Sequence, residues 1–286
     1  MTVTVSLTGR RRRAHVGRSL RIAGGITASL LFLFPVFWMI LTSFKQQRDI
    51  FTTPPTFLFT PTLETYITYL QRGIIPYQML NTVIVAFGAG IISIVAGSMA
   101  GYALSRLKIR GATFIGVLIL MSRGVPPIAL AVPMFLVGRS LGLIDKHIIL
   151  ILAYCTFLIP YVMWLMRGFF MALPKELEES AMIDGCSHFG AFFKIIVPIS
   201  LPGLLSTLIF CVILAWEELL FAIVLTSRNA STIPVAIAGI AGDTVNGANW
   251  GALTAVGTLT VIPVVIFAML VQKWLIQGLA DGAVKG

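Results

Sequence analysis

The chain has 286 residues, 57% hydrophobic and only 11% charged, with a formal charge of +10 from 21 Lys and Arg against 11 Asp and Glu. Its mean hydropathy is +0.94, more apolar surface than a soluble fold of this length hides. A soluble enzyme, a disordered chain and a disulfide scaffold are thereby excluded, and lipid is the solvent for most residues.

The basic excess reads as arginine and lysine retained in cytoplasmic loops, so no nucleic-acid partner is expected. The three cysteines, Cys155, Cys186 and Cys211, have no CxxC spacing. His15, His147 and His188 are far apart in sequence. No disulfide framework and no metal site are expected from them.

Six apolar stretches follow, at about 20–43, 79–104, 112–138, 147–169, 202–226 and 251–275. Each is long enough to cross a bilayer, and within hydrocarbon each must be helical because no water satisfies an open backbone. The fold class predicted is an all-α membrane protein of six transmembrane helices. The first stretch follows Arg10, Arg11, Arg12, Arg13, Arg18 and Arg21. It is too long for a signal peptide, and Pro35, Phe37 and Trp38 stand where small cleavage residues belong. It reads as an uncleaved anchor behind a basic tail, residues 1–21.

With the N-terminus inside, the inner segments hold those six arginines and Arg106, Lys108, Arg110, Arg167, Lys175, Lys194, Lys273 and Lys285. The outer segments hold only Lys45, Arg48, Arg72, Arg139, Lys146 and Arg228. This asymmetry puts both termini in the cytoplasm. The outer loop 46–78 carries Pro54, Pro55, Pro61 and Pro76, which suits irregular backbone. Asn81 and Thr82, at the start of the second stretch, read as a helix cap in preference to a lining of the path.

Arg123 falls near the middle of the third stretch, beside the helix breakers Gly124, Pro126, Pro127 and Pro133. Charges at that depth face a cavity or a partner, and broken helices there line transport paths. Glu217 and Glu218 follow Trp216 in the fifth stretch. One reading pairs Arg123 with one of these glutamates; another has them hydrogen-bond a solute; a third sets Arg123 against an anionic solute group. Adjacent helix positions point about 100° apart, so Glu217 and Glu218 do not share one role. Tyr161, Trp164, Trp216 and Phe221 stack on a solute in one reading and pack the fold in the other, with packing preferred. Trp38, Trp250 and Trp274 read as interface-belt residues.

The longest inner connection, 171–200 between the fourth and fifth stretches, is the most informative. Pro174 suits a helix first turn, and Glu176, Glu178 and Glu179 suit a helix N-terminus. Leu177, Ala181 and Asp184 fall on one face, and Gly185 ends the helix. Phe189, Phe192 and Phe193 make a second short apolar face, and Pro198 and Pro202 mark the next span. This is an amphipathic elbow at the membrane surface, or a docking element whose small residues Ser180, Ala181 and Gly185 admit another protein closely.

Glu179-Ser180-Ala181, then Gly185, then Ile195-Ile196-Val197-Pro198 resembles the EAA–G–I–LP signature of permease subunits of ATP-binding-cassette importers. The run Glu179–Gly185, the terminal Gly278–Gly286 and the pair Pro35–Trp38 and Ser43–Lys45 are similar to the carbohydrate-importer, maltose-permease-G-like subclass. Ser180 stands for the first Ala of the signature, and Glu217 stands where relatives commonly carry Asn.

The resemblance implies a six-span permease domain, 22–277, with a cytoplasmic coupling helix in 171–200 and a tail 278–286. It implies Glu179, Ser180, Ala181, Asp184, Gly185 and Pro198 as the ATPase-coupling residues, and Arg123, Tyr161, Trp216, Glu217 and Glu218 as candidates for the path. The partners implied are a second, different permease subunit, two ATPase subunits holding ATP and Mg, an external solute-binding protein and the bilayer of a bacterial inner membrane. The chain itself shows no GxxxxGK[ST] loop, so it is expected to bind no cofactor and hydrolyse nothing. The rival is an ATP-independent secondary transporter or channel, for which no internal repeat is found. An intramembrane enzyme lacks its HExxH.

Overall fold

A computed structural model describes residues 7–242 and 249–283, with side chains described for 21–242, 249–270 and 272. Among the described residues all regular structure is helical, as backbone in hydrocarbon requires. In chain order these are α1 (Leu7–Ser43), the short α2 (Gln47–Ile50) and α3 (Glu64–Gln71), then α4 (Ile74–Arg106). Next come α5 (Ala112–Met121), α6 (Pro127–Ser140) and α7 (His147–Ala172). The elbow contains α8 (Glu176–Ile183), α9 (His188–Ala191) and α10 (Val197–Ile199). The chain ends with α11 (Leu201–Trp216), α12 (Leu220–Leu225), α13 (Ile233–Ala241) and α14 (Trp250–Ala283).

Four helices have the length and composition of a membrane span: Arg21–Ser43, Ile74–Arg106, His147–Ala172 and Trp250–Leu270. The third predicted stretch is not straight, and the fifth is entered through a bend. Ala112–Gly124 and Pro127–Ser140 meet at 88°, and His188–Ile199 and Leu201–Trp216 meet at 79°. Counting each bent pair as one span gives six. The first bend follows from Pro126 and Pro127: the residue before a proline is driven out of the helical region, and Val125 and Pro126 are extended at ψ 120° and 134°. The fifth stretch, expected continuous to 226, stops at Trp216 and resumes at Leu220. At the N-terminus the helix begins at Leu7 and runs unbroken through the expected tail boundary. Residues 284–286 of the expected C-terminal tail lie outside the described residues.

The core lies where α4, α7 and α11 pack, around fully buried Tyr154, Leu158, Phe170 and Cys211. Glycine permits this approach at two positions of α4. A Cβ on Gly97 would lie 2.6 Å from Val162 Cβ, and one on Gly101 would lie 2.8 Å from the Met163 carbonyl oxygen. At 33 residues α4 is about 50 Å long, well beyond the ~30 Å hydrocarbon core. One end of the α4–α7 pair therefore carries the elbow and the other reaches the opposite surface. By contrast α1 exposes Leu31 and Phe32 at 72% and 78%, an apolar face that a lipid or protein neighbour covers.

Candidate functional site

The elbow begins where α7 ends. Glu176, Glu178 and Glu179 occupy the first turn of α8, where the positive end of the helix dipole favours them. Its C-terminus closes with Cys186 N–H donating to Ala181 O at 2.9 Å and Gly185 N–H to Met182 O at 3.1 Å. This crossed pair needs a left-handed residue, and Gly185 supplies it at φ 84°. A Cβ on Gly185 would meet nothing within 4 Å. Backbone conformation, and not room for a neighbour within the chain, is what fixes glycine here. Ser187 then accepts from Gly190 N–H at 3.1 Å and caps α9.

The expected coupling residues divide by face. Glu179, Ser180, Asp184, Gly185 and Pro198 are exposed. Ala181 is turned inward, 2% exposed, so its small size serves the chain's own packing. The expected phenylalanine face also divides: Phe192 is buried against Tyr102, ring centroids 4.7 Å apart, while Phe189 and Phe193 face outward.

The residue that ties the elbow to the transmembrane helices is Glu178, read from sequence only as a helix-terminal acid. It is 5% exposed. Its Oε1 lies 3.0 Å from Arg106 Nε, an ion pair rather than a directed hydrogen bond. Arg106 Nη2 donates to the carbonyls of Phe170 and Leu173, both at 2.7 Å. These are carbonyls of the last turn and C-cap of α7, where the helix leaves acceptor capacity over; Phe170 O also accepts from the Leu173 N–H at 3.2 Å. Tyr102, one turn before Arg106 on the same face, donates from its hydroxyl toward Glu178 Oε2 and His188 O, each at 3.3 Å. The available sequence signal was Tyr102 and Arg106 at i and i+4, closing an apolar helix.

At the opposite end Asp145 holds the loop after α12. Its carboxylate accepts from the backbone N–H of Ser227, Arg228, Asn229 and Ala230 at 3.0–3.1 Å and from Asn229 Nδ2 at 3.0 Å. Burial opposes ionisation there, but the N–H donors of Asn229, Ser227, Ala230 and Arg228 outweigh it and hold the carboxyl well below the usual carboxylate range. Asp145 has φ 61°, a conformation that aspartate tolerates better than most residues. Asn81 donates to Asn229 O and Ser231 O, so its oxygen is free to accept from His147 Nε2 at 2.7 Å. Thr82 Oγ1 accepts from Ile233 N–H at 2.9 Å. Because α4 starts at Ile74, Asn81 and Thr82 are not the caps expected; they fasten this loop to the helix.

Arg123 lies in the break between α5 and α6, exposed, with its guanidinium 4.9 Å from the Tyr161 ring centroid. Tyr161 is about 21 Å along α7 from His147, near mid-span. Among the described residues Arg123 forms no ion pair with Glu217 or Glu218. Glu218 accepts from Phe221 N–H at 3.1 Å and Ala222 N–H at 3.4 Å, capping α12. Glu217 is exposed. Trp216, 6% exposed, walls a cavity of about 320 Å³ that Glu217, Pro234 and Thr260 also line. Phe221 is 1% exposed and belongs to the core.

Residues 93–281 match the family described as "Binding-protein-dependent transport system inner membrane component". The chain is 37% identical to the "Probable ABC transporter permease protein y4oR" of Sinorhizobium fredii, over 90% of this chain and 92% of that one. It is 35% identical to the "Trehalose/maltose transport system permease protein MalG" of Thermococcus litoralis, over 96% and 99%. Its fold is similar to a crystal structure of a bacterial ABC transporter involved in the import of the acidic polysaccharide alginate. That similarity has a TM-score of 0.70 and 25% identity, and covers 95% of this chain and 99% of that one. The chain belongs to the binding-protein-dependent inner-membrane-component family and is a permease subunit of an ATP-binding-cassette transporter. The sequence resemblance is thereby borne out at the level of the family, and ATP hydrolysis falls to separate partner subunits.

Proposed function

We propose that this chain is one of two permease subunits in an ATP-driven importer of a sugar or sugar-like solute, with α8 as the element that docks on an ATPase subunit. The observation that carries the docking role is the outward face of α8: Glu179, Ser180, Asp184 and Gly185 stand exposed on a helix stub whose inward face, Glu178 and Ala181, is buried. An acid at the C-terminal end, Asp184, does nothing for the helix dipole and is free for a partner. Pro198, beyond the stub, is exposed as well.

The solute class rests on relatives whose names specify trehalose, maltose and alginate. In this reading the bent pair 112–140 counts as one span and the chain from Leu201 onward as the fifth, which gives six, with the elbow, α9 and α10 included, and both termini cytoplasmic by the arginine and lysine asymmetry. The path is lined by Arg123 and Tyr161 at the mid-span break and by Trp216 and Glu217 at the end of α11. Glu218 is committed to its cap. ATP and Mg bind the ATPase partners, whose closure swings the permeases between inward- and outward-facing forms as rigid bodies.

The test uses the complex purified in nanodiscs. Ser180 is exposed, so Ser180→Trp leaves this chain's own packing intact while blocking a groove on a partner. Stimulation of ATPase activity by the loaded solute-binding protein is lost in this variant if α8 docks. Undiminished stimulation, or ATPase subunits that never co-purify with the native chain, refutes the reading.

A further inference from the structure

In a chain with so few charges, a buried ion pair calls for an explanation other than stability. Apolar residues of similar volume usually serve stability as well or better, and the best-attested use of such pairs is to fix geometry. Arg106 and Glu178 are 4% and 7% exposed at their side chains. Around them four elements converge. Arg106 is the last residue of α4 and is bonded to the terminal carbonyls of α7. Glu178 lies in the first turn of α8. Tyr102 bridges α4 to Glu178 and to the first residue of α9. The guanidinium presents its donors in a rigid plane, so contacts to a carboxylate and two carbonyls set orientation as well as distance. Tyr102, Phe170 and Phe192 pack edge and face beside the pair, with centroids 4.7–6.1 Å apart, and exclude water from it.

Behind this point α4 and α7 are in backbone-close contact at Gly97 and Gly101. At the far end Asn81 of α4 bonds the loop 227–231 and accepts from His147, the first residue of α7. We infer that Tyr102, Arg106 and Glu178 form a positioning joint that makes α8 move as one body with α4 and α7, carrying displacement of the elbow to the opposite surface. The inference rests on the docking role proposed for α8 and adds to it the route by which motion leaves the elbow. No member of the joint touches nucleotide or solute; each acts by fixing the helix that does the docking.

The experiment places spin labels at Ile183→Cys on α8, 86% exposed, and Ile74→Cys at the far end of α4, 58% exposed. Cys186 is replaced by serine, while Cys155 and Cys211 are buried. Distances are measured in the nanodisc complex without nucleotide and after trapping with ATP and vanadate. In the native background the separation stays the same on trapping, because both labels ride on one body. In Arg106→Gln with Glu178→Gln, which removes both charges at similar volume, the separation shifts or broadens on trapping while the ATPase subunits still co-purify. A native separation that changes on trapping, or a double variant that stays as invariant as the native chain, overturns the inference. Should the double variant fail to assemble, Arg106→Lys decides: it keeps the charge but loses the planar fork. A broadened trapped distance then supports the joint and an invariant one overturns it. Absence of ATPase subunits from the native preparation instead removes the docking role, and the inference falls with it.

Discussion

Gly185 separates two explanations of the elbow, backbone conformation and close approach by a partner. The perturbation is a pair of substitutions, Gly185→Ala and Gly185→Asn. At φ 84°, with empty space where a Cβ would stand, alanine meets no clash and carries only the strain of the left-handed region, about 1–2 kcal/mol. Asparagine, the commonest substitute at such caps, carries less. Strain of this size opposes the closing bonds Cys186 N–H to Ala181 O and Gly185 N–H to Met182 O. Since 1.4 kcal/mol is a factor of ten, the closed turn becomes about five- to thirtyfold less favoured in the alanine variant. Hydrogen exchange at the Cys186 amide reads this directly, and ATPase stimulation by loaded binding protein reads its consequence. The expected order is glycine, then asparagine, then alanine in both assays. If asparagine, the bulkier residue, abolishes stimulation while alanine spares it, space at the partner surface governs the position and the conformational argument is refuted.

Four further outcomes follow from the packing. Gly101→Ala sets a methyl 2.8 Å and 2.9 Å from backbone atoms of Met163 and Arg167, which cannot yield, and costs about 1–3 kcal/mol in a denaturation series. Gly88→Ala meets only the flexible tip of Ile151 at 2.8 Å and is tolerated with a smaller loss in the same series. Asp145→Ala removes the acceptor of five N–H groups and lowers stability by about 2 kcal/mol at neutral pH. Because the folded carboxyl titrates below its unfolded value, this contribution is complete above about pH 4 and fades as pH falls toward the folded value. Melting midpoints of native and variant protein therefore converge only in acid, and convergence already at pH 6 would contradict the assignment. Glu218→Ala uncaps α12 and costs about 1 kcal/mol, with faster exchange confined to the Phe221 and Ala222 amides.

Hydropathy and proline placement made the helical membrane class, the elbow and its breakpoints legible in the sequence, because each depends on residues close together in the chain. Gly185 was legible as a helix end for the same reason, and its left-handed backbone follows from the residue type. The bends were not. A helix and its continuation past an 88° turn have the same composition, so the window over 112–138 reads as one span although Pro126 and Pro127 mark where it folds. Asn81 was mistaken for a cap because its true partners, Asn229 and Ser231, lie 148 and 150 residues away. Glu178 and Glu179 are equivalent to any local rule: both acids suit the first turn of α8. What distinguishes them is Tyr102, 76 residues earlier, and Arg106 beside it, which turn Glu178 into an internal tie and leave Glu179 on the outer face. A signature defined by spacing identifies the surface proposed to meet a partner. The residue that connects this surface to the membrane helices is set by tertiary approach, and its carboxylate looks like any other until the helix opposite it is in place.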